Sequence, residues 1–88
     1  MAKYSLRIKR SARKELESVA TKADRRRIVA RIESLADNPR PPGSLKLSGR
    51  ERYRIRQGRY RILYTIEKSV LVVNVIKIGD RKKAYRSK

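Results

Sequence analysis

Between residues 53 and 64 the chain reads Tyr53-Arg54-Ile55-Arg56-Gln57-Gly58-Arg59-Tyr60-Arg61-Ile62-Leu63-Tyr64. Arginine alternates with large apolar residues, one glycine interrupts, and the alternation resumes. A period of two is that of a β-strand, whose successive side chains leave opposite faces. Tyr53 and Ile55 then share one face, and Arg54 and Arg56 share the other. A row of guanidiniums is ill suited to a core and well suited to phosphate, which arginine binds bidentately. The composition agrees: 26 Lys+Arg against 8 Asp+Glu in 88 residues, a formal net charge of +18. Such a balance points to a polyanionic partner, nucleic acid foremost.

Other chemistries are closed off by what the chain lacks. It has no Cys and no His. Thiolate and imidazole metal sites, disulfides, and Ser-His-Asp or Cys-His mechanisms are therefore absent. The carboxylates form no obvious pair: Glu15 and Glu17 diverge on a helix, Asp37 and Asp80 fall at element ends, and Glu51 and Glu67 stand apart in sequence. No apolar run is long enough to span a membrane, and Met1-Ala2-Lys3-Tyr4 lacks a signal-peptide apolar region, so a soluble cytoplasmic protein is expected. The segment Arg81-Lys82-Lys83-Ala84-Tyr85-Arg86-Ser87-Lys88 is a basic tail carrying one aromatic.

The elements that must position these residues follow from periodicity. Tyr4 to Lys9 alternates and reads as a first strand. Ser11 is placed to cap a helix bearing Ala12, Leu16, Val19 and Ala20 on one stripe. Thr21, with Asp24 three residues on, resembles a capping box for a second helix. That helix buries Ile28, Ile32, Leu35 and Ala36 and exposes Arg25, Arg26 and Arg31. Asn38-Pro39-Arg40-Pro41-Pro42-Gly43 ends it. Leu45-Lys46-Leu47 has room to lie against the sheet. The arginine hairpin follows, with strands near 52–57 and 60–66, then a turn at Glu67-Lys68-Ser69. Val70 to Ile78 is nearly continuous in β-branched residues and reads as a strand buried on both faces, broken by Gly79-Asp80. The expectation is one α+β domain over residues 1–88 in the order βααβββ. A helix hairpin would cover one face of a small, mainly antiparallel four-stranded sheet.

This order, together with Tyr53-Arg54-Ile55-Arg56, Gly58-Arg59-Tyr60-Arg61-Ile62-Leu63-Tyr64, Ile76-Lys77-Ile78-Gly79, Arg81 and Tyr85-Arg86, resembles the RelE/ParE superfamily of bacterial and archaeal toxins. The resemblance covers the whole chain. The glycine-aromatic-arginine element is shared across the superfamily. The C-terminal arginine and tyrosine look like the RelE branch, whose members cleave mRNA in the ribosomal A site, rather than the ParE branch, which poisons DNA gyrase. What the resemblance implies is a type II toxin with the catalytic set Arg54, Arg56, Arg61, Arg81 and Tyr85. Two of these, Arg54 and Arg56, stand where the best-known relatives have lysine. Arginine is a poor proton acceptor because its pKa lies above about 12, so Glu51 is a candidate base.

The implied reaction needs no protein nucleophile, since the substrate's 2′-hydroxyl attacks the adjacent phosphorus. Arg61 and Arg81 would clamp the phosphate. Arg54 and Arg56 would hold its neighbour and depress the 2′-hydroxyl pKa, and Tyr85 would stack on a base or donate a proton. No metal and no small-molecule cofactor is required. The implied partners are the ribosome with its mRNA and a cognate antitoxin with an acidic toxin-binding segment. A gyrase inhibitor of the same fold and a non-enzymatic basic RNA-binding protein are the competing readings.

Overall fold

A computed structural model describes residues 3–47 and 52–80. Its elements are β1 (Ser5–Ile8), α1 (Arg10–Glu17), α2 (Lys22–Ser34), β2 (Leu45–Leu47), β3 (Arg52–Gln57), β4 (Tyr60–Glu67) and β5 (Val72–Asp80). The sheet has five strands in the order β1-β5-β4-β3-β2, with β1 parallel to β5 and every other pair antiparallel. It exceeds the expected four strands by β2, which extends the sheet beside β3, Leu45 opposite Arg54 and Leu47 opposite Arg52.

The arginine hairpin forms as its alternation requires. Gly58 turns it at φ +60°, a left-handed conformation that side-chain-bearing residues adopt rarely. Tyr53, Ile55, Tyr60, Ile62, Tyr64 and Ile66 are buried on the inner face. Against them pack Ala12, Val19, Ile28, Ile32 and Leu35 from the helical layer. Each fully buried aliphatic side chain there is worth about 1.5–3 kcal/mol against exposure.

On β5 the buried residues change parity: Val73 and Val75, then Ile78. The cause is a bulge. Tyr64 pairs with Val75 but Leu63 pairs with Lys77, so Ile76 is an extra residue opposite the Leu63/Tyr64 step. The bulge carries the inward row from odd to even positions and lets Ile78 join Ile62 in the core. Gly79 and Asp80, expected to break the strand, continue it and pair with Arg61 and Tyr60. Nor is β5 apolar throughout: Asn74 and Ile76 are half-buried and Lys77 is exposed.

The helix ends divide. Thr21 caps α2, its Oγ1 accepting the Asp24 amide at 3.0 Å. Ser11 does not cap α1; the N-cap is Lys9, with no side-chain bond, because the helix begins two residues earlier than a cap at the serine would allow. Helix α1 also stops at Glu17, so Val19 is buried from the connecting turn and Ala20 is exposed. Arg25, expected on an exposed face, instead closes that turn, its guanidinium donating to the Val19 carbonyl at 2.8 Å.

Past Val75, β5 has no β1 residue beside it, and Glu15 of α1 takes over. One carboxylate oxygen accepts the Ile78 amide at 2.9 Å and the other accepts Lys77 Nζ at 2.9 Å. The helix is thereby stitched to the strand edge.

Candidate nucleic-acid interface

Both helices pack on the inner face, which leaves the outer face to the alternate residues of each strand. Reading the register across it gives successive rows. Arg56 lies directly opposite Arg61, and Arg61 opposite Gly79. Next come Arg54, Leu63 and Lys77. Then follow Arg52, Thr65, Asn74 and, from β1, Arg7. Three of the expected site residues, Arg54, Arg56 and Arg61, are thus brought together. Arg81, which follows Asp80 directly, lies outside the described residues, as do Tyr85 and the candidate base Glu51.

Directly opposed residues in an antiparallel ladder have Cα atoms about 4.5–5.5 Å apart. Like charges so placed destabilise a sheet. An anion bridging Arg56 and Arg61 reverses the sign of that term. Gly79 adds no side chain to the same row. Arg56 is exposed and Arg54 and Arg61 are half-buried, their stems resting on the sheet.

Among the described residues, two carboxylates border this face. Asp80 is engaged at the hairpin end by Arg59, whose Nε and Nη2 both donate to Asp80 Oδ2, at 3.0 and 2.6 Å. That hydrogen bond and the carboxylate charge raise the Arg59 pKa. Glu67 lies at the opposite end of the outer face and accepts the Asn74 side-chain amide at 3.2 Å. No cluster of potential metal ligands occurs among the described residues.

Tyr53, Tyr60 and Tyr64 of the sheet are buried core residues. Tyr53 and Tyr64 stack with ring centroids 5.7 Å apart. Tyr64 donates to the Pro39 carbonyl at 2.6 Å, tying the proline loop to the sheet. Burial pushes its phenol up to about 12. Two arginines of the outer face did not enter the expected site: Arg52, which continues the spacing of Arg54 and Arg56, and Arg7, which shares the first strand's alternation.

A family described as the ParE toxin of type II toxin–antitoxin systems, parDE, matches residues 6–85. The fold matches that of the RelE–RelB complex of the archaeon Pyrococcus horikoshii OT3, with 29% identity, a TM-score of 0.77, and 92% of this chain and 97% of that one covered. It matches the RelB–RelE complex of Methanococcus jannaschii at 25% identity and a TM-score of 0.71, covering 91% and 95%. It also matches a free RelE variant from E. coli at 24% identity and a TM-score of 0.78, covering 94% and 88%. Among curated proteins no significant match was found.

Proposed function

The chain belongs to the ParE toxin family of type II toxin–antitoxin systems, within the RelE/ParE superfamily, and we propose that it is a ribosome-dependent endoribonuclease that cuts mRNA in the A site. The observation that carries this reading is the outer-face cluster of Arg54, Arg56 and Arg61, with Arg56 and Arg61 in direct register. Such a cluster is built to hold adjacent phosphates and to stabilise the extra negative charge of a pentacoordinate phosphorane. The attacking group is the substrate's own 2′-hydroxyl. Arg61 and Arg81 clamp the scissile phosphate, Arg54 and Arg56 hold its neighbour, and Tyr85 stacks on a base or protonates the leaving oxygen.

Arginine cannot accept the 2′-hydroxyl proton at neutral pH. Glu51, which immediately precedes β3, is the protein group proposed for that task. The ribosome supplies the remaining alignment, which makes the isolated protein a poor nuclease. The counterpart that silences it is an antitoxin with an acidic segment covering the arginines, in keeping with relatives crystallised as RelE–RelB complexes.

Inhibition of DNA gyrase is the second reading, favoured by the description of the matching family. One experiment separates them. Expression is induced while amino-acid and thymidine incorporation are followed, and purified protein is incubated with naked RNA and with programmed ribosomes. Early loss of amino-acid incorporation and cutting only on ribosomes is expected. Early loss of thymidine incorporation with gyrase-dependent DNA breaks would establish the second reading, and rapid cutting of naked RNA would remove the ribosome from the first.

A further inference from the structure

On the outer face, away from the Arg56/Arg61 row, Arg7, Ile8, Lys9, Thr65, Asn74 and Ile76 line a shallow depression of ≈ 390 Å³. Its volume falls within the about 300–1,000 Å³ typical of small-ligand sites. It exists because of the bulge: Ile76, the extra residue of β5, stands beside Thr65 and Asn74 and gives the depression an apolar wall. Arg7 and Lys9 supply cations at its rim.

The polar floor is oriented. A carboxylate can only accept a hydrogen bond, so the contact at 3.2 Å between Glu67 Oε1 and the Asn74 amide fixes the nitrogen toward Glu67. Asn74 Oδ1 and the second Nδ2 hydrogen then form an adjacent acceptor–donor pair beside the Thr65 hydroxyl. Every nucleobase offers an adjacent donor and acceptor on its edge, and a side-chain amide reads such an edge through two bonds. Thr65 is four residues from Arg61 along β4, about 13 Å at the strand rise. At about 3.4 Å per stacked nucleotide, and more when extended, this is no more than four nucleotides from the phosphate at that row.

We infer that Arg7, Thr65, Asn74 and Ile76 form a nucleobase pocket that reads one unpaired base of the RNA strand by its edge, a few nucleotides from the phosphates held by Arg54, Arg56 and Arg61. This rests on the outer face being an RNA-binding surface. Asn74 is the reading group and Glu67 its positioning residue. The pocket makes binding depend on a base at one position, which phosphate contacts cannot do.

The test is equilibrium binding at low salt of short single-stranded RNAs with all four bases in turn at each position, or an abasic nucleotide there. Wild type, Asn74→Ala, Glu67→Gln and Arg54→Ala are compared, with urea denaturation confirming that each is folded. At one position wild type should prefer a base over the abasic site by on the order of ten-fold. Asn74→Ala should lose most of that ratio while keeping the salt dependence of binding. Glu67→Gln, whose side chain both donates and accepts, should let the Asn74 amide turn over and change the ranking among the four bases. Arg54→Ala should weaken all the RNAs alike. If wild type binds RNA but the ratio is unchanged in Asn74→Ala, the pocket is wrong and the RNA-binding surface stands. If wild type binds none of the RNAs, both fall together.

Discussion

Arg56 and Arg61 face each other across the β3–β4 ladder, an arrangement a sheet selected for stability alone would avoid. Opposed like charges cost of the order of 0.2–1 kcal/mol. Arg56→Ala should therefore leave the free protein equally or slightly more stable in urea while sharply lowering toxicity on induction. Arg61→Ala should abolish toxicity. Loss of a donor aimed at developing charge costs about 2.7–4 kcal/mol of transition-state stabilisation. Arg26, an exposed residue of α2, is the control. Equal loss from Arg26→Ala and Arg61→Ala would show that total charge, not a site, carries the activity. Tyr64 makes a different residue-scale prediction. The native state keeps its phenol neutral up to about 12, while the unfolded chain ionises near 10. Between those values the unfolded state binds fewer protons, so stability present below pH 10 declines as pH rises toward 12, by roughly 2 kcal/mol. Absorbance at 295 nm should show one tyrosine ionising late, and Tyr64→Phe should remove both that late step and its share of the alkaline loss.

Among the elements, Glu15 is the join between α1 and the edge of β5. Removing it leaves the Ile78 amide without its acceptor. Glu15→Ala should cost about 1–3 kcal/mol. Glu15→Gln should cost less, because an amide oxygen still accepts from Ile78 while only the partly exposed pair with Lys77 is lost. Urea midpoints of the two variants give the comparison. Legibility at this scale followed the strength of the local signal. The hairpin strands, α2 and its Thr21 cap were readable because alternation, helical spacing and a capping pair are local. Strand β2 was read only as a segment beside the sheet, since three residues after a proline loop carry no periodicity of their own. The bulge at Ile76 had no sequence mark, because register belongs to pairs of strands. Gly79 and Asp80 misled for a related reason: their breaker tendencies were outweighed by pairing with β4. Ser11 misled because a serine within a first helical turn looks like a cap. At the site, Arg54 and Arg56 could be placed on one face from spacing alone, while Arg61 entered through the family resemblance. Arg7 could not, because its position depends on the first strand lying parallel to the last.

For the molecule as a whole, the net charge of +18 is repelled by itself more than it is balanced. Among the described residues, ion pairs such as Lys3–Asp37 and Arg27–Asp24 lie at exposed sites, where each contributes at most about 1 kcal/mol. Screening should therefore help the fold more than it harms it. The melting temperature should rise as sodium chloride is raised from low to physiological levels, and differential scanning fluorimetry would measure it; a falling melting temperature would mean that the few attractive pairs dominate. Nucleic-acid binding should move oppositely, weakening as salt rises. The order β1-β5-β4-β3-β2 has a consequence for biosynthesis. Among the described strands, the first to leave the ribosome has its only partner in β5, which is synthesised last of them, and β5 also pairs with β4. Before Val72–Asp80 emerges, the nascent chain offers β1 nothing to pair with and leaves one side of β4 open. The arginine face therefore cannot mature before β5 has emerged. Completion of the sheet waits until translation has passed β5, and an antitoxin already present can meet the protein as it folds.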